Sequence, residues 1–166
     1  DQRVYPGLYD VDNLGFNYRM SEIHASIGTI QIKKIKEFLK IRSFNFKFLE
    51  SEILKIKNIS IVPNLNTFLK GSFYCLSILL SKKISKKRFN IINELKKVGI
   101  GSSIYYPNPI PRLKYYKMKY KIKPTSYKIA SKFSDQIICL PIGPHISSKE
   151  IKFMSKSLLK IITKYN

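Results

Sequence analysis

Two cysteines, two histidines, 10 acidic and 31 basic side chains are what this sequence offers for chemistry. Cys75 and Cys139 each sit inside an apolar run, SFYCLSILL and IICLPI, with no CxxC spacing. They read as free thiols buried in strands rather than as a disulfide framework or a zinc site. His24 and His145 lie far apart and have no Cys or carboxylate companions at ligand spacing, so neither reads as a metal ligand. There is no Gly-rich phosphate loop, no nucleophile elbow and no clustered carboxylate pair. The reactive groups alone define no reaction, so their meaning depends on the elements that carry them.

Residues 1–20 hold Pro6, Gly7, Asp10, Asp12, Asn13, Gly15 and Asn17 without periodicity and read as an extended loop. Ser21 is a good N-cap, and Glu22 sits in a first turn where the helix dipole favours negative charge. Apolar residues then recur at Ile23, Ile27, Ile30, Ile35, Phe38, Leu39, Phe46, Leu49 and Ile53. That spacing predicts one long amphipathic helix, 21–57. A short strand follows at 59–62, closed by Pro63, and 64–71 reads as loop. The best strand is 72–80. Ser85 is placed to cap a helix over 86–97, which Gly99 stops with a left-handed residue. A further strand is predicted at 100–106, where Gly101-Ser102-Ser103 permits close backbone approach.

Pro107, Pro109 and Pro111 forbid regular structure around them. A helix is then predicted from Thr125 to about Ser134 and a short strand over 137–140. The last helix opens with Ser147-Ser148-Lys149-Glu150, a capping box. A loop, a long helix and then alternating strands and helices from about residue 58 predict a two-layer α/β domain.

The 166 residues suffice for one domain with a real core, and 44% hydrophobic with 25% charged residues is ordinary for a globular protein. Disordered, collagen-like and disulfide-miniprotein classes are excluded, and no apolar run is long enough to predict a membrane helix. The start, Asp-Gln-Arg-Val-Tyr, shows no leader peptide, and its abruptness reads as a fragment. A formal charge of +21 is the unusual quantity. It opens the reading of a stand-alone basic nucleic-acid-binding α/β domain. Against it, the cations are nearly all Lys, with Arg only at 3, 19, 42, 88 and 112, and they are spread along the chain. The abundant Ile, Asn, Phe and Tyr share A/T-rich codons with Lys, so compositional drift accounts for a solvated Lys surface.

One stretch is specific: Gly15-Phe16-Asn17-Tyr18-Arg19-Met20-Ser21-Glu22, continuing through Ala25 to Gly28. It resembles the GxNxRM(S/T)(E/D)xxAAxG segment of the DegT/DnrJ/EryC1/StrS sugar aminotransferases. Gln31-Ile32-Lys33-Lys34-Ile35 and Arg42 are similar to that family's QLKKL…RR helix. The stretch from Val98 to Pro107 is similar to its GIGTSVHYP strand. Pro109-Ile110-Pro111, Tyr115-Tyr116 and Leu140-Pro141-Ile142-Gly143-Pro144 with Ser147 and Glu150 resemble its ending. Four blocks in order cover nearly the whole chain.

The resemblance implies the C-terminal part of a fold-type-I enzyme dependent on pyridoxal 5'-phosphate. By it, 1–20 is a loop from the large domain and dimer interface, 21–57 an interdomain helix, and 58–166 the small α/β domain. The Schiff-base lysine of the family belongs to the preceding large domain, so no catalytic residue is assigned here and the chain alone is expected to be inactive. The motif's Asn reaches across the dimer to the cofactor phosphate, which makes Asn17 a cofactor-binding candidate. Arg19 is placed near the same phosphate or the anionic donor. An Asx-turn for Asn17 and an ion pair with Glu22 for Arg19 are the structural alternatives.

Tyr105 and Tyr106 are candidates to line the sugar pocket, with burial in the core as their alternative. This sequence departs from the family where relatives often carry His, at Tyr74, Tyr105 and Pro111. The implied activity is transfer of an amino group, commonly from glutamate, to a keto-sugar nucleotide by a cytoplasmic homodimer. A dehydratase relative that has lost the lysine is the alternative within the family.

Overall fold

The computed structural model describes residues 13–62, 71–123 and 125–165. Its elements in order are α1 (Glu22–Ile53), β1 (Ile59–Ile61), β2 (Cys75–Leu80), α2 (Arg88–Lys97), α3 (Lys114–Lys119), α4 (Lys128–Gln136), β3 (Ile137–Pro141) and α5 (Ser148–Thr163). Single 3-10 turns stand at Ser85–Lys87 and Ile110–Arg112. Residue contacts divide the chain into two compact units, 1–35 and 36–166, with the boundary inside α1.

In the second unit the three strands form an antiparallel sheet of order β1-β2-β3. The register pairs Ile61 with Ile78, and pairs Cys75 with Pro141 and Ser77 with Cys139 on the other side. Along β2 the period of two sends Leu76, Ile78 and Leu80 into the core while Cys75, Ser77 and Leu79 stay half-buried. Leu49 and Ile53 of α1, Ile91 and Leu95 of α2, and Ile151, Met154, Leu158 and Ile162 of α5 cover that buried face. Helices on a sheet make the two layers of an α/β domain. Each Ile or Leu withdrawn from water contributes about 1.5–3 kcal/mol.

Local signals explain the element ends. Ser147 accepts from the Glu150 N–H at 3.3 Å, and Glu150 Oε2 accepts from the Ser147 N–H at 2.7 Å, so the capping box stands as expected. Gly99 has φ +81° and ends α2, as expected. At the start of α1, Ser21 Oγ accepts from the His24 N–H at 3.4 Å.

Four expectations change. α1 ends at Ile53 rather than near 57, because i→i+3 bonding (Ile56 N–H to Ile53 O, 2.9 Å) turns Ile56 into the core and Asn58 takes φ +65°. That reversal brings β1 back alongside β2. Ser85 caps no α-helix: its hydroxyl donates to Lys82 O, and α2 begins at Arg88 after a 3-10 turn. The 100–106 stretch is no full strand, for only Ser103 bridges to Cys139, by reciprocal bonds of 3.0 and 2.8 Å. α4 begins at Lys128, after Tyr127 in the left-handed region, rather than at Thr125. The short α3, which the sequence pattern did not mark, follows directly on the proline-rich turn. Residues 64–70 of the loop expected at 64–71 and residues 1–12 of the one at 1–20 lie outside the described residues.

Candidate functional site

Two places carry the candidate residues, one in each unit. In the first unit, residues 13–21 run without regular structure up to α1. Asn17 Oδ1 accepts the Arg19 N–H at 3.0 Å, so the Asx-turn is present. That turn uses only the amide's oxygen. Its NH2 and the Arg19 guanidinium have no partner among the described residues, and Arg19 forms no ion pair with Glu22. Both side chains are exposed, two residues apart. An amide NH2 and a guanidinium so placed can donate to an oxyanion.

The rest of this unit is apolar and open. Phe16, Tyr18, Met20, Ile23, Ile27, Ile30 and Ile35 are all exposed. The stripe expected to drive helix packing is thus exposed at Ile23, Ile27, Ile30 and Ile35. Exposed apolar surface of this extent marks an interaction site.

In the second unit a cavity of about 230 Å³ opens beside the edge of β3. Arg42 enters it from α1, Tyr74 and Cys75 from the start of β2, Ser102, Ser103 and Tyr105 from the irregular segment, and Gly143 and His145 from the loop before α5. Tyr105 and Tyr106 are exposed, Tyr106 at 72%, so neither is a core residue. The hydroxyls of Tyr74 and Tyr105 lie 3.5 Å apart, their rings 5.9 Å, and the Tyr105 and Tyr106 rings 5.7 Å. The hydrogen bond with Tyr105 raises the Tyr74 hydroxyl above the ordinary phenol value, with the neighbouring phenol charge acting in the same sense. The phenol hydroxyls of the pair can donate or accept at the cavity. Cys139 is buried and Cys75 half-buried, both free thiols; desolvation is the main cause that raises the Cys75 thiol.

The cavity is held in place from behind. Asn45, 2% exposed, donates from Nδ2 to the carbonyls of Gly143 and Ile146 at 3.1 and 3.0 Å. It ties α1 to the loop that carries His145. Sequence reasoning missed Asn45, Arg42 and Ser102 as site residues. A polar Asn between Phe44 and Phe46 was the available signal, though nothing local names its partners about 100 residues away.

In chain order, an open Asn-x-Arg segment and an exposed apolar helix face precede the α/β domain. The chain belongs to the DegT/DnrJ/EryC1/StrS aminotransferase family, whose profile matches residues 3–158. It is 26% identical over 95% of its length to the UDP-4-amino-4,6-dideoxy-N-acetyl-beta-L-altrosamine transaminase of Campylobacter jejuni. It is 27% identical over 87% of its length to the dTDP-4-amino-4,6-dideoxy-D-glucose transaminase of Escherichia coli. These matches take in 41% and 39% of the two relatives. Among solved structures, the Helicobacter pylori aminotransferase PseC, involved in pseudoaminic acid biosynthesis, shares its fold with TM-score 0.84 at 23% identity. That match covers 94% of this chain and 41% of PseC. The chain thus spans about two-fifths of the length of the relatives it matches.

Proposed function

We propose that this chain is the C-terminal part of a pyridoxal-phosphate-dependent aminotransferase that moves an amino group, with glutamate as donor, onto a keto-sugar nucleotide. In this reading residues 1–20 meet the large domain and the dimer interface, 21–57 connect, and 58–166 form the small domain. The observation that carries it is the pair of donors at Asn17 and Arg19, unpartnered among the described residues, in a segment that resembles the Asn-x-Arg-Met motif of the family the chain belongs to. The Asx-turn turns the amide oxygen inward and leaves NH2 for an outside acceptor, so these residues fit a phosphate. Pyridoxal phosphate, when bound, serves as the electron sink that lets the amino group pass between donor and sugar.

The roles of this chain's residues follow from their chemistry. Asn17 holds the phosphate of the neighbouring subunit's cofactor as a neutral donor. Arg19 neutralises charge beside it. The exposed apolar residues from Phe16 to Ile35 are covered by the partner and the large domain. Tyr105 and Tyr106 offer ring faces and hydroxyls to the sugar. Among the described residues no helix is long and apolar enough to cross a membrane. Action in the cytoplasm is part of the same proposal.

The test uses the protein expressed from its coding sequence extended upstream of Asp1. Asn17→Ala removes one hydrogen bond to a charged group, about 1.5–3 kcal/mol, so affinity for pyridoxal phosphate falls by about 10- to 100-fold in an absorbance titration. A heterodimer of one wild-type subunit and one lacking both Asn17 and the cofactor lysine shows the same weak binding if Asn17 acts across the interface. Normal affinity there overturns the cross-subunit role. Turnover by the 166-residue chain alone, with the cofactor trapped on one of its own lysines by borohydride, overturns the whole reading.

A further inference from the structure

The cavity in the second unit contains an imbalance that the aminotransferase reading does not use. Arg42 Nε and Ser102 Oγ are both buried and have no hydrogen-bond partner among the described residues. Buried donors are nearly always satisfied, so each such atom calls for a ligand or another explanation. Here two of them line one cavity. The Arg42 guanidinium also forms no ion pair among the described residues, and no Asp or Glu lines the cavity. Among the described residues that line it, Arg42 is the one Lys or Arg and there is no Asp or Glu, so its permanent charge of +1 faces them unpaired.

The remaining walls narrow the class of ligand. Leu140, Pro141 and Ile142 are apolar, and the Tyr74 and Tyr105 hydroxyls stand at the rim of the same space. At about 230 Å³ it lies below the usual range of about 300–1,000 Å³ for drug-sized ligands, a space that a short-chain acid fills. One cation matches a carboxylate better than a phosphate dianion, and a guanidinium fork accepts a planar carboxylate through two parallel bonds. The apolar wall suits a short carbon stem.

We propose that this cavity binds a small organic acid, its carboxylate seated on the Arg42 guanidinium and Ser102 Oγ and its carbon stem against Leu140 and Ile142. The inference stands on the cavity alone and does not require the aminotransferase reading to hold.

The chain contains five arginines, so the Nε–H resonance of Arg42 can be followed by 15N NMR in the 166-residue protein. Butyrate is the probe, with inorganic phosphate and UMP as comparisons. The expected result is a saturable shift of the Arg42 signal with butyrate, and weaker or no response to phosphate and UMP. Arg88, which donates to Ser134 O, and Arg112, paired with Asp135, should not move and report an intact fold. Ser102→Ala should weaken binding several-fold, and Arg42→Gln by about 10-fold or more, read on the Tyr105 ring signals. No saturable shift, an equal response to phosphate, or butyrate binding unchanged by both substitutions would overturn the proposal. None of these results depends on cofactor binding.

Discussion

Replacing Asn45 by Ala should cost this domain far more than the loss of a polar side chain from a helix ordinarily does. Its Nδ2 donates to two carbonyls, Gly143 O at 3.1 Å and Ile146 O at 3.0 Å, and the residue is 2% exposed. A buried acceptor left unsatisfied costs about 1–3 kcal/mol. Water entering the space of the lost amide restores part of this, and Ala improves the helix propensity by a few tenths. The net is about 2–4 kcal/mol. For a chain of this size that lowers Tm by roughly 5–15 °C. Calorimetry or denaturant unfolding of the 166-residue protein reads it directly. Asn45→Asp should be at least as damaging, since it aims a carboxylate at two carbonyls. The Gly143–Ile146 loop should loosen first, so amide exchange at Ile146 should accelerate before the sheet does. A loss below about 0.5 kcal/mol, or unchanged exchange at Ile146, would refute the claim that Asn45 holds the cavity wall.

Other outcomes follow from the same geometry. Gly99 has φ +81° with nothing near its missing Cβ, so Gly99→Ala should cost about 1–2 kcal/mol in denaturant unfolding and Gly99→Asn less. Ser147→Ala should lower stability by about 1 kcal/mol through loss of the α5 cap. Glu150 is held below the ordinary carboxylate range mainly by the Ser147 hydroxyl, and Glu94 mainly by Lys164. With the folded values depressed, their stabilisation is present above the unfolded value and is lost as pH falls from there through the folded ones; Glu94→Gln and Glu150→Gln should flatten the acid limb of a Tm-against-pH curve. Despite the +21 charge, duplex DNA should bind weakly, without sequence preference, and be released by physiological salt in an anisotropy titration.

What the sequence by itself determined are the features whose physics is local. Ser147 and Glu150 are one helical turn apart and satisfy each other's backbone without help from the rest of the chain. Gly99 marks a left-handed stop because a residue without a Cβ takes a positive φ at little cost. The alternation in Cys75–Leu80 and the apolar spacing along α1 announce a strand and a helix through their periods. Even the Asn-x-Arg segment is legible, since a short motif is read in order along the chain. Periodicity tells that a helix face is apolar and not what covers it. Leu49 and Ile53 are buried in the core, while Ile23 and Ile27 on the same helix are exposed.

The cavity was decided by the tertiary structure alone. Arg42 and Ser102 are 60 residues apart, and Asn45 lies about 100 residues from its acceptors, so no window of sequence contains the pair. The 100–106 segment shows the same limit. Its composition favours a strand, yet pairing depends on a neighbour with free backbone groups in register, and there Ser103 alone meets Cys139. Because the chain leaves β3 after one bridge, Ser102 and Tyr105 face open space beside Arg42 and Tyr74 instead of joining a sheet.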